Sequence, residues 1–515
     1  MSIDAETTRH DDEVLPEVGP DDQGTDTSES GTIEADGALA LEVPGFEPDT
    51  GARSDAEEFS AEEAESPEAI AQERRELRKR IIDLALPSLI EMTLMTLVSM
   101  ADMIMVGRLG PWAITSVGLS NQPMFVSMSV FMSLNVGATA LVARSIGAGK
   151  PDEAAKAARQ ALVIASAAGV LLAVLGVMFG TNILKWMGAE SDVIGPGSGY
   201  LKIVALGLIF QGAAISLSAS LRGAGDTRTP MSVNLVANVV NVVSNYLLIY
   251  GHFGFPRLEV AGAAVATTLS RAVACALIIR KVFGQRALIK MSLHDSFRLD
   301  SVTVGRILKV GLPAAGEQAV MRGGQMLFAR LVSSFGTVVY AAHQVALNIE
   351  GLCFTPGMSF QTATTTLVGQ SLGARKPKRA MRVGWEAVRM GMAVSAVLAT
   401  FLFFFGKYCA LLYSDDQMVI DLAGNALKII ALAIPFMIAN FILAGGLRGA
   451  GDTRWTLYIT AIGIWGVRLG VANLLAIKMG MGLVGAWVGM ALDMCTRALF
   501  VALRFRTGHW TKIRI

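Results

Sequence analysis

The chain reads as an all-α polytopic membrane protein, with twelve transmembrane helices in two six-helix lobes related by a parallel internal repeat. Three observations carry that reading. Long stretches hold no charge at all: Leu109–Ala143, Gln160–Leu184, Thr229–Gly251, Gly351–Ala374 and Ile429–Leu447. A spanning helix needs roughly 20 mostly apolar residues, whereas the strands of a membrane barrel are shorter and alternate. The octapeptide LRGAGDTR occurs at Leu221–Arg228 and again at Leu447–Arg454. Finally, Lys and Arg gather in every second loop.

Taken in order, residues 1–80 come first, with 24 Asp or Glu against 7 Lys or Arg. The other 435 residues carry 19 acids and 37 bases, so the formal net charge of +1 hides −17 and +18. The first block is rich in Asp, Glu, Ser, Thr, Pro and Gly and poor in aromatics. It is expected to be a disordered cytoplasmic tail. Its acidic start, with no apolar stretch behind it, excludes a secretory signal. Apolar spans follow at about 82–106, 116–140, 160–182, 198–220, 232–252, 261–282, 305–332, 342–370, 385–406, 424–447, 455–476 and 483–503. They divide the membrane part into an N-lobe, 81–300, and a C-lobe, 301–515.

Loops and chain ends on one side, from Arg74–Arg80 to Arg497–Arg514, hold 31 Lys or Arg, and the opposite side holds seven. The positive-inside rule then predicts a cell-membrane protein with both termini in the cytoplasm. Topology accounts for the basic excess, so no nucleic-acid partner is expected. Cys275, Cys353, Cys409 and Cys495 form no CxxC pair and read as small packing residues.

The offset of 226 between the octapeptides also aligns Leu86-Pro87 with Leu312-Pro313, Glu91 with Glu317, Ile146-Gly147-Ala148 with Leu372-Gly373-Ala374, and Pro151 with Pro377. Each copy holds an even number of spans, so both enter the bilayer from the same side. Such repeats are related by an axis along the membrane normal, with a substrate path between them. Two such lobes fit a monomeric, alternating-access transporter. The sequence contains no HExxH, Walker loop or GxSxG, so neither an enzyme, nor ATP-driven transport, nor a cofactor is expected.

A charge at the centre of a spanning helix costs roughly 2.5–3.5 kcal/mol on insertion scales, so each one needs a reason. Asp102 lies about 8 Å below the outer end of the first span. The fifth span carries Asn234, Asn238, Asn241 and Asn245, spaced to share one face. Thr267, on the sixth, falls at about the same depth. A carboxylate ringed by amide and hydroxyl oxygens suits Na⁺, which makes Asp102, Asn241, Asn245 and Thr267 a candidate cation-coupling site. The same carboxyl, partly desolvated, suits H⁺ instead. Asn234 and Asn238 read equally well as hydrogen-bond glue between helices, worth about 0.6 kcal/mol a contact. Asn238 stays a secondary coupling candidate.

The fixed offset sets Phe328 opposite Asp102, and Thr460, Ile464, Val467 and Val471 opposite the four Asn. Coupling is therefore expected in the N-lobe alone. The C-lobe has its own charges in Glu317, Arg322, Arg330, Glu350 and Arg468. Glu317 is the other secondary coupling candidate, weighed against a bracing role shared with its repeat mate Glu91. The three arginines are expected to be paired inside the bundle, and Arg222 and Arg448 to anchor at the headgroups. Gly466/Gly470 and Gly485/Gly489 read as close helix packing.

Several motifs carry a family resemblance. The run Met100-Ala-Asp-Met-Ile-Met-Val-Gly-Arg-Leu-Gly110 resembles the first-helix signature of the multidrug and toxic compound extrusion (MATE) family. So do both LRGAGDTR loops, Gly262-Ala-Ala-Val-Ala-Thr267, Ala341-Ala-His-Gln344 and Leu367-Val-Gly-Gln-Ser-Leu-Gly-Ala374. The resemblance covers about residues 81–510. It implies a V of two six-helix lobes that exports small organic, often cationic compounds in exchange for H⁺ or Na⁺. Relatives with a first-helix Asp often pair it with Asn-x-x-x-Asp on helix 5. Here Asn241 and Asn245 fill that spacing, and the missing second carboxylate tilts the expectation toward a single proton on Asp102. A flippase of lipid-linked sugars, and a non-transporting receptor or scaffold acting through its acidic tail, are the alternatives.

Overall fold

The structure, a computed structural model, describes residues 67–284, 289, 291, 296–513 and 515. The expected tail before Pro67 lies outside the described residues. Within them are twelve long helices: α1 Pro67–Gly107, α2 Pro111–Gly147, α3 Pro151–Trp186, α4 Ser191–Ala224, α5 Arg228–Tyr250 and α6 Glu259–Val282. Then come α7 Ser301–Ser333, α8 Thr337–Gly373, α9 Pro377–Leu411, α10 Gln417–Ala450, α11 Thr453–Lys478 and α12 Gly482–Arg506. One boundary moves. Residues 67–80, counted with the disordered tail from composition, are the opening turns of α1.

Local chemistry explains the helix ends. Pro111, Pro151 and Pro377 open α2, α3 and α9, where a missing N–H costs nothing. The Asp300 and Asp416 carboxylates accept the Thr303 and Met418 amides and cap α7 and α10. The two octapeptides end α4 and α10 at Gly225 (φ 98°) and Gly451 (φ 87°), a left-handed backbone that glycine adopts without a Cβ penalty.

Ten of the twelve helices are long and apolar enough to cross a membrane; α7 and α8 fall short by composition. Both make contacts across the lobes, α7 with α2 and α8 with α1 and α2.

Within the N-lobe, α4 packs on α2, α3 and α6, and α5 on α1 and α6; in the C-lobe, α10 packs on α8, α9 and α12, and α11 on α7 and α12. The repeat extends to single bonds. Thr139 Oγ1 donates to the Ala219 carbonyl at 3.1 Å and Thr365 Oγ1 to that of Gly445 at 2.9 Å, each pair related by 226 residues. The lobes meet at the ends of α2 and α8 that lead to the octapeptide side. A Cβ on Gly147 would stand 2.0 Å from the Gln370 carbonyl oxygen, and one on its repeat mate Gly373 2.0 Å from that of Arg144. Thr366 Oγ1 and Gln370 Nε2 donate across the same junction to the Arg222 and Gly223 carbonyls, at 2.8 and 3.2 Å.

α1 belongs to both lobes. Its opening residues Leu77, Ile81, Leu84 and Ala85 are buried in the C-lobe core, while Val106 near its other end is buried in the N-lobe.

Two packing expectations divide. Gly485 and Gly489 do lie against the α11 backbone, with Ala476 N and Ala472 N at 2.7 and 2.8 Å from an added Cβ; Gly466 and Gly470 have nothing within 4 Å. They sit on the opposite face of the same helix, turned away from α12.

Candidate functional site

α1 and α5 are stitched together at three levels. Asn234 Nδ2 donates to Glu91 Oε1 at 2.6 Å, Asn245 Nδ2 to Asp102 Oδ1 at 2.6 Å, and Tyr250 Oη to the Met105 carbonyl at 2.9 Å. Glu91 and Asp102 are 11 residues apart, as are Asn234 and Asn245, and 11 residues make about three helical turns. Both helices therefore present acid and amide along one seam.

The expected residues divide as follows. Asn245 Nδ2 also donates to Asn241 Oδ1 at 3.2 Å, so Asp102, Asn245 and Asn241 form one chain of hydrogen bonds. Asn241 and Asn245 are buried, and Asp102 is half-buried. Thr267 is half-buried on α6, and among the described residues its hydroxyl bonds none of the three. Asn238 is half-buried with an unpartnered Nδ2. Asn234 holds Glu91 and has the bracing role.

Two polar groups of this region were not singled out from sequence. Tyr200 on α4 is 6% exposed and has both Arg271 and Asp102 as electrostatic neighbours. Arg271 on α6 donates to the Val204 carbonyl at 3.1 Å.

The donor set can be tested against a bound cation. Asn245 Oδ1 is buried without a hydrogen-bond partner, beside a carboxylate that accepts only one amide. An orphaned oxygen next to a half-satisfied carboxylate fits one small cation or one proton. Among the described residues no three acids, histidines or cysteines gather to form a metal cage.

Glu317 has both oxygens occupied. Oε1 accepts from Arg448 Nη2 at 2.6 Å and Thr460 Oγ1 at 3.2 Å, and Oε2 from Thr456 Oγ1 at 3.0 Å. Its repeat mate Glu91 pairs with Arg222 at 3.1 Å. This corrects the headgroup role expected of Arg222 and Arg448, because each guanidinium turns inward onto a buried acid.

The C-lobe counterpart of the coupling site holds an arginine where the N-lobe has an amide. α11 contains two π turns, Ile462–Arg468 and Asn473–Lys478, and the extra residue shifts the register. The buried positions Asn241, Asn245 and Ile249 of α5 correspond to Arg468, Ala472 and Ala476 of α11. Arg468, not Val467, stands opposite Asn241. It lies 5.8 Å from the ring of Phe328, the repeat mate of Asp102. Arg468 and Arg497 share buried Asp493 at 2.7 and 2.8 Å. Glu350 lies near both, 1% exposed, with Oε1 unpartnered. Of the other arginines expected to be paired, Arg322 is exposed over the Phe125 ring at 5.5 Å, and Arg330 is exposed.

Comparison with known proteins agrees with this architecture. The family profile described as MatE matches twice, at residues 87–247 and 313–474. The two matches start 226 residues apart and end 227 apart, as one extra residue in α11 requires. The chain is 33% identical over 444 residues to a probable multidrug resistance protein NorM from Thermotoga maritima, covering 85% of this chain and 94% of that protein. It is 30% identical to the multidrug resistance protein PmpM of Pseudomonas aeruginosa, covering 84% and 93%. Among solved structures, it resembles a MOP-superfamily transporter from Pyrococcus furiosus, for which a reversed binding-pocket polarity suggested a different function. There the TM-score is 0.78 and the identity 25%, over 84% of this chain and 95% of that one. A multidrug resistance MATE transporter in an outward-facing conformation gives TM-score 0.78 at 24% identity, over 84% and 96%, and shows the shared fold. With two profile matches over most of its helices, full-length relatives and the two-lobe fold in common, the chain belongs to the MATE family of multi-pass multidrug efflux transporters.

Proposed function

We propose that the protein is a secondary antiporter that exports small organic, cationic compounds in exchange for H⁺ or Na⁺, with Asp102 as the coupling group. The observation that supports this most is the Asp102–Asn245–Asn241 chain beside the orphaned Asn245 oxygen. A proton or Na⁺ on Asp102 removes the charge that Asn245 now satisfies, and so loosens the α1–α5 seam at that level. Thr267 supplies a hydroxyl one helix away. Because α1 is also rooted in the C-lobe core, a change at this seam reaches the lobe junction. A membrane potential of 100 mV contributes about 2.3 kcal/mol per net charge moved, roughly a forty-fold gradient. No ATP is needed. On this reading the protein works as a monomer in the cell membrane with both termini in the cytoplasm.

A lipid-linked-sugar flippase would call for a cationic cleft. Of the three C-lobe arginines that would make one, Arg468 is neutralised by Asp493, while Arg322 and Arg330 are exposed on α7. The test is efflux from proteoliposomes with a pH gradient or a Na⁺ gradient imposed separately. Asp102→Asn should insert and fold normally yet lose gradient-driven efflux; undiminished efflux would remove Asp102 from the mechanism.

A further inference from the structure

The first turns of α1 and α9 meet around a pocket outside the coupling site. It has a volume of about 360 Å³, within the roughly 300–1,000 Å³ range of small-molecule sites. Arg74, Lys378, Arg382 and Arg389 line it, with Glu386 as the one lining carboxylate among the described residues. The remaining wall is apolar and includes Met381 and Trp385, whose indole packs edge-on against Phe505 at 6.0 Å. Cationic and apolar side chains interleave around it, which makes the cavity amphipathic.

Its depth follows from α9 itself. That helix has 35 residues and is about 52 Å long, against a hydrocarbon core of roughly 30 Å. Residues 390–406 carry no charge, while Lys378, Arg379, Arg382, Glu386 and Arg389 crowd the stretch before them. The pocket therefore lies at headgroup level on the octapeptide side of the bilayer, where Trp is also favoured.

The same pocket joins the opening turns of α1 to α9. Arg78 and Arg389 both pair with buried Glu386, the latter at 2.8 Å. Glu73 pairs with Arg382 and lies 3.9 Å from Arg379. Two carboxylates thus already tie α1 to α9, and among the described residues four cations line the pocket. Guanidinium groups suit phosphate because their N–H donors match its oxygens in pairs.

We propose that this pocket binds the phosphate headgroup of an anionic phospholipid, with the first acyl carbons against Met381 and Trp385. The bound lipid then bridges α1 and α9 and holds the opening turns of α1 against the C-lobe. Basic pockets between helices at this level recognise anionic headgroups through the same chemistry.

The test uses the full chain in detergent, with lipid adducts counted by native mass spectrometry during titration with phosphatidylglycerol, phosphatidylcholine or inorganic phosphate. One saturable phosphatidylglycerol site is expected, not displaced by phosphatidylcholine. The Arg74→Ala/Arg389→Ala variant should weaken it about thirtyfold, at about 1 kcal/mol per cation removed. Glu386 keeps Arg78 in that variant, and an unchanged melting temperature in lipid-free detergent verifies folding. Lys407→Ala, at the other end of α9, should bind as the parent does. Equal phosphatidylglycerol affinity in parent and double variant would overturn the proposal. Displacement by millimolar inorganic phosphate would assign the pocket to a soluble anion and overturn the lipid. Neither outcome depends on transport, so a failure at Asp102 would leave this result standing.

Discussion

Glu317 touches Arg448, Thr456 and Thr460, and those contacts decide its role. Removing one partner of a buried ion pair typically costs about 3–5 kcal/mol, because the other charge is left unpaired. Glu317→Gln should therefore unfold earlier in thermal melts, while correctly folded molecules retain their gradient dependence. Lost coupling at unchanged stability would instead make Glu317 a coupling acid. Asp300 gives a prediction outside the spans. Hydrogen bonds from Lys156 and Thr303 hold its carboxyl at about 2, below the ordinary 3.8. A group depressed on folding stabilises above its unfolded value, and that contribution is lost as pH falls through the folded one. Asp300→Asn should thus melt below the parent near pH 6 and converge with it between about pH 4 and 2. The Asp102–Asn245 pairing was legible because a lone carboxylate on one span and a face of amides on another fall at similar depth. The Arg468–Asp493–Arg497 cluster was not, since its members lie on different helices and form no motif.

At the scale of elements, hydrophobic runs and an exact octapeptide made the twelve helices legible, because long uncharged stretches have few other uses. Their ends were less so. The opening turns of α1 carry the composition of a soluble tail, and only burial of Leu77 and Ile81 in the C-lobe shows them as a working part of the helix. The π turns of α11 were equally invisible, since an added residue in a helix leaves no compositional trace. The crossing of α2 and α8 depends on two glycines in symmetric positions. Gly373→Ala would set a methyl against the Arg144 carbonyl, and such overpacking costs typically 1–3 kcal/mol. Spin labels on the octapeptide loops should report a longer mean separation in that variant; an unchanged distance would mean the crossing has slack.

For the whole molecule, the lobe junction at the octapeptide side is closed in this structure, and alternating access requires it to open. A Cβ on Gly369 would lie 2.8 Å from that of Ala143, near enough for a disulfide after a small adjustment. The double variant Ala143→Cys/Gly369→Cys, with the native cysteines replaced, should lose efflux on oxidation and recover it on reduction. Efflux that continues while the bridge is intact would mean that transport does not need this junction to part.

α1 gives that motion a constraint of its own. Its 26-residue stretch from Leu77 to Asp102 is a rod about 37 Å long, gripped near one end by the C-lobe and near the other by Asn245. In such a rod, length is also angle. One inserted residue would turn the Asp102 carboxylate about 100° away from α5, whereas seven would restore its heading and carry it roughly 10 Å along the axis. Surface loops absorb insertions readily. This rod can change length only in steps of about two turns without rotating the charge it carries.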